Sequence, residues 1–156
     1  MKLAEALAAR ADLQRRIEQL RSRIADNARY QEGEEPAEDA AALLVEADTA
    51  LDELRELIRR INATNSRLRL GDGTMTDALA ARDVLRMRHV VLADAAAAAS
   101  GSGGMGSAYR QMRSELRQFP ALPVAELRSK ADAVAQELRE LDSRVQEANW
   151  TNELEE

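Results

Sequence analysis

The chain has no cysteine, which rules out disulfide staples, thiolate catalysis and zinc sites built on cysteine. Aromatic residues make up only 3% of it, and Trp150 is the single tryptophan. β-Sandwiches and barrels depend on aromatic and β-branched side chains to pack their pleated faces, so that class is excluded as well. The one histidine, His89, cannot supply the two Glu-x-x-His pairs of a di-iron bundle, and the residue three before it is Arg86. No metal site and no cofactor are expected. No window approaches the roughly 18 apolar residues of a membrane span. Met1-Lys2-Leu3-Ala4-Glu5 enters an amphipathic pattern with no apolar leader before it, so the expectation is a cytoplasmic protein without a membrane partner. The net charge of −6 argues against nucleic acid as the partner.

What remains is a composition of 45% hydrophobic and 32% charged residues dominated by Ala, Leu, Glu and Arg, the signature of long helices and coiled coils. The length of 156 residues suits a single helical domain, 1–156. Over residues 2–29, Leu3, Ala6, Arg10, Leu13, Ile17, Leu20 and Ile24 recur three and four apart, which places them on one helix face. A second helix is expected to start near Pro36, with Leu44, Ala47, Leu51, Leu54, Ile58 and Ile61 as its stripe. Leu68 and Leu70 alternate with arginines before Gly71-Asp72-Gly73-Thr74, a short strand and tight-turn signal. Thr76 offers an N-cap for a third helix running to about residue 99, with Val84, Leu85, Met87, Val91, Leu92 and Ala95 on a broad apolar face. Residues 100–108, rich in Gly and Ser, read as a flexible loop. Pro120 and Pro123 break any helix through 114–122, which reads as an extended stretch able to pair with Leu68–Leu70. The last helix, 123–149, carries the most regular stripe: Leu127, Ala131, Val134, Leu138, Leu141, Val145 and Ala148. The expected fold is therefore all-α: an antiparallel bundle of four long coiled-coil-like helices, with a short β-hairpin or small sheet at about 67–75 and 114–122.

None of the short motifs carries chemistry. Gly101-Ser102-Gly103-Gly104-Met105-Gly106 matches a dinucleotide-binding spacing but follows an Ala-rich helix, where the motif requires a strand. The acidic loop with Glu32, Glu34, Glu35, Glu38 and Asp39 lacks the ligand spacing of an EF-hand. Arg82, Arg86, Arg88, Arg110, Arg113 and Arg117 make residues 82–117 locally basic, whereas residues 32–56 hold ten acids against Arg55. Such a basic stretch suits an anion or an RNA backbone, or docks on the acidic half of the same fold or of a second subunit.

Arg10 interrupts an apolar stripe, where an unpaired charge is costly, so an acidic partner is expected. If the first two helices turn back at about residue 33, position i faces roughly 67−i. Arg10, Asp12, Asn62, Asn65, Arg82 and Asp83 should then gather at one level, with Asp83 or Asp12 paired to Arg10. This polar cluster either fixes register or binds a ligand.

Gln31-Glu32-Gly33-Glu34-Glu35-Pro36, Thr76-Asp77-Ala78-Leu79-Ala80-x-Arg82-Asp83 and Gln146-Glu147-Ala148-Asn149-Trp150 together resemble the small bacterial helical proteins often labelled septicolysin. The resemblance covers essentially the whole chain and is weakest across residues 100–123. It implies a cholesterol-binding, pore-forming cytolysin and brings no catalytic residues. Three readings follow, in order. The first is a non-enzymatic helical scaffold that self-associates through coiled-coil surfaces. The second is a small anionic-ligand or RNA binding module using Arg82–Arg117, and the third is the pore former that the resemblance implies.

Overall fold

The computed structural model describes residues 1–102 and 116–155. Helix α1 spans Leu3–Asn27, and Glu5 reaches back to accept the Lys2 N–H at 2.7 Å, satisfying a donor that the first turn leaves free. Helix α2 spans Ala40–Arg67. It begins four residues after Pro36 because Asp39 is the better cap: its Oδ1 accepts from the Ala41 and Ala42 N–H groups at 2.9 and 3.2 Å. Strand β1 (Arg69–Leu70) and strand β2 (Gly73–Thr74) pair as a two-stranded sheet. Gly71 enters the intervening turn at φ +64°, the left-handed region that glycine occupies without steric cost.

Helix α3 spans Met75–Ala99 and is capped by Thr74, not Thr76. The Thr74 hydroxyl accepts from the Asp77 N–H at 3.3 Å while Asp77 Oδ2 accepts from the Thr74 N–H at 2.8 Å, a reciprocal capping box. Gly73 leaves room for it, since a Cβ there would lie 2.9 Å from Asp77 Oδ2. Helix α4 spans Val124–Thr151. The fold is all-α with a small sheet, as expected. The short hairpin expected at 67–75 is present as β1 and β2, whereas the expected pairing of 114–122 with Leu68–Leu70 is corrected: β1 pairs with β2, and residues 116–123 belong to no helix or strand. The flexible loop expected at 100–108 lies outside the described residues from 103 onward, as do residues 114 and 115 of the expected extended stretch.

Packing divides the chain into two compact units. Residues 1–69 with 146–156 form the first, and residues 70–145 the second. In the first unit, Arg16 reaches Glu46 at 2.9 Å and Arg23 grips both oxygens of Glu38, with Nε at 2.9 Å from Oε2. Advancing along α1 thus means retreating along α2, and the two helices are antiparallel. The expected register places Leu51 opposite Arg16. The seam of α2 is also displaced by one residue in its N-terminal half: Leu43 and Ala50 are buried, whereas Leu44 and Leu51 are 54% and 48% exposed. Both pairs are seven residues apart, so periodicity alone does not choose between them. The Arg23 guanidinium, bonded to Glu38, holds that carboxyl below the ordinary carboxylate range.

Residues 152–155 close the first unit. The Leu3 N–H donates to Asn152 O at 3.0 Å and the Leu154 N–H to Met1 O at 2.9 Å, around an antiparallel bridge between Lys2 and Glu153. Glu155 donates its N–H to Thr64 Oγ1 at 3.0 Å and accepts on its carbonyl from Arg60 Nε at 2.8 Å. Leu154 is buried beneath these bonds. In the second unit, Met75, Ala78, Leu85 and Ala96 of α3 are buried, as are Ala131, Leu141 and Val145 of α4. The stripe read from the sequence of the last helix is buried or half-buried throughout.

Candidate functional site

The six residues of the expected polar cluster have different surroundings. Arg10 is half-buried in its stripe, and its Nε is buried without a hydrogen-bond partner. The partners expected for it are engaged elsewhere. Asp12 is exposed and bonded to Arg15, three residues on along the same helix. Asp83 lies 3.7 Å from Arg82 and 3.6 Å from Arg86. Within the first unit Arg10 makes no ion pair, so the expected salt bridge to Asp12 does not form there; Asp83 belongs to the second unit. A local pair three residues apart forms at little entropic cost, so Asp12 needs no tertiary partner. Asn62 is exposed and Asn65 half-buried on α2.

Arg82 and Arg86 converge on Asp142 of α4, at 3.7 and 3.5 Å. This places two guanidinium groups around two carboxylates, Asp83 and Asp142, so the charge at this point of the basic stretch is balanced within the second unit. Arg88 and Arg117 are exposed, while Arg110 and Arg113 lie outside the described residues. Nearby, His89, Arg128 and Asp132 rim a depression of about 340 Å³ floored by alanines of α3 and α4. Among the described residues no group of three or more His, Asp or Glu side chains is placed to hold a metal ion.

Among the described residues, the outer face of α3 carries a row of exposed apolar side chains. Val84, Met87 and Val91 are exposed at 53, 67 and 66%, and Val90 beside them at 55%. The sequence pattern groups three of these in one broad apolar face with Leu85 and Leu92. The structure divides that face in two: Leu85, Leu92 and Ala96 point inward, and Val84, Met87 and Val91 outward. The signal is present in the sequence, since two stripes with the same spacing and two residues out of phase lie about 200° apart on a helix. Trp150 of α4 and Leu44, Val45 and Leu51 of α2 are further exposed apolar side chains, in the first unit.

Residues 10–154 match the model of a family of unknown function, DUF6847, and the chain belongs to that family. Among solved structures it is similar to a functionally unknown conserved protein from Corynebacterium diphtheriae. That protein is 37% identical, with a TM-score of 0.89 over 99% of each chain. No curated protein matches. None of these comparisons bears on the resemblance to septicolysin.

Proposed function

We propose that this protein is a non-enzymatic helical interaction protein that self-associates through coiled-coil surfaces. The observation that carries the reading is the exposed stripe of Val84, Met87 and Val91, set three and four residues apart on the side of α3 facing away from its buried residues. A solvated face on a helix this long is ordinarily polar, and an apolar stripe at heptad spacing is the surface that a second helix covers. Symmetric self-association is the commonest way such a face is buried.

The anion or RNA reading draws less support, because Asp83 and Asp142 offset Arg82 and Arg86. A salt-dependent nucleic-acid titration separates it from the scaffold. Dye release from cholesterol-containing liposomes does the same for the cytolysin that the resemblance implies, and the scaffold reading expects no release. The direct test is light scattering on the wild-type chain and on a Met87→Glu, Val91→Glu variant. The wild type should give a multiple of the single-chain mass of 17.2 kDa, and the variant a lower mass. A wild-type mass equal to that of one chain at micromolar concentration contradicts the reading.

A further inference from the structure

The exposed stripe of α3 also specifies how a partner helix would lie on it. With Val84 and Val91 written as heptad position a, Ala80 and Met87 fall at d, all four exposed. Asp83 and Val90 then occupy g, while Arg88 and Ala95 occupy e. In a parallel pairing, β-branched residues at a favour two strands, and each g residue meets the following e residue of the other helix. The g-to-e pairs are Asp83 with Arg88 and Val90 with Ala95, one of opposite charge and one apolar. In an antiparallel pairing g faces g and e faces e, so Asp83 would meet Val90 and no ion pair would form.

The charges are available for this role. Arg88 is exposed and makes no ion pair among the described residues. The Asp83 side chain is 59% exposed and already ion-paired with Arg82 and Arg86 at 3.7 and 3.6 Å. These distances are longer than hydrogen bonds, so a partner guanidinium would add to these pairs and take up the hydrogen-bonding capacity they leave. Asp94, at the next d position, would oppose its own copy and so ends the seam after Val91.

We infer that the partner on this face is a second copy of the chain, its α3 parallel and in register, with Asp83 paired to Arg88 of the partner subunit. The inference rests on the self-association proposed above. Because the chain has no cysteine, single substitutions report the geometry cleanly. Ala80→Cys should give a disulfide-linked dimer under mild oxidation, since parallel pairing places position 80 against itself. An antiparallel pairing places it against position 91, and only a mixture of Ala80→Cys and Val91→Cys chains would then cross-link. Asp83→Arg and Arg88→Asp should each weaken the dimer roughly tenfold, and the double swap should restore it. The melting temperature of each variant monitors whether the fold survives. Self-association that persists without Ala80→Cys cross-linking, or without rescue by the double swap, overturns the parallel arrangement alone. A wild-type chain that stays monomeric at every concentration overturns self-association itself.

Discussion

Arg10 and Arg82 each place a guanidinium inside a helical seam, and each has a buried Nε without a hydrogen bond. Their circumstances otherwise differ. Arg82 has Asp83 and Asp142 within 3.7 Å, while Arg10 makes no ion pair within its own unit. A buried polar atom without a partner costs about 1–3 kcal/mol. Replacing Arg10 with an apolar side chain of similar length removes that cost and leaves no carboxylate stranded. Arg10→Met should therefore leave stability unchanged or raise it by about 1–3 kcal/mol in urea denaturation. A loss of that size would show that Arg10 has a partner. Its position in the stripe is legible in the sequence, and its surroundings are not. Spacing places a residue on a helix face, but Asp12 has its arginine three residues on in Arg15, and there proximity along a helix prevails over the stripe.

The helices are legible because their stripes repeat every three to four residues, most plainly in α4, where every apolar position of the stripe is buried or half-buried. Periodicity fails where two stripes compete, in the N-terminal half of α2 and along α3. There the choice depends on cap geometry and on side chains reaching across, such as Arg23 to Glu38. That contact has a pH signature. Hydrogen bonding to Arg23 lowers the Glu38 pKa in the folded state relative to the unfolded chain. The stabilisation is thus fully present above the ordinary carboxylate pKa and is lost as pH falls through the depressed folded value. Glu56 and Glu126, lowered by Arg59 and Lys130 on their own helices, act in the same direction. The melting temperature should fall on acidification below about pH 4.5, and Glu38→Gln should make the fall shallower. An unchanged slope in that variant would show that the pair contributes nothing. The exposure of both side chains makes the expected effect modest.

At the scale of the molecule, residues 152–155 are what the sequence pattern does not disclose. Backbone bonds to Met1 and Leu3 leave no periodic trace, and Leu154 lies beyond the last stripe. Leu154→Ala should cost about 2–4 kcal/mol by emptying a buried site under the closing bonds. A cost below half a kcal/mol would show that the segment only rests on the surface. The other property at this scale is the stripe of Val84, Met87 and Val91, which is exposed among the described residues. Sedimentation velocity across a concentration series is the measurement that addresses it most directly. The account predicts an oligomer at micromolar concentration that dissociates when Met87 and Val91 are both replaced by Glu. A single species with the mass of one chain at every concentration would contradict it.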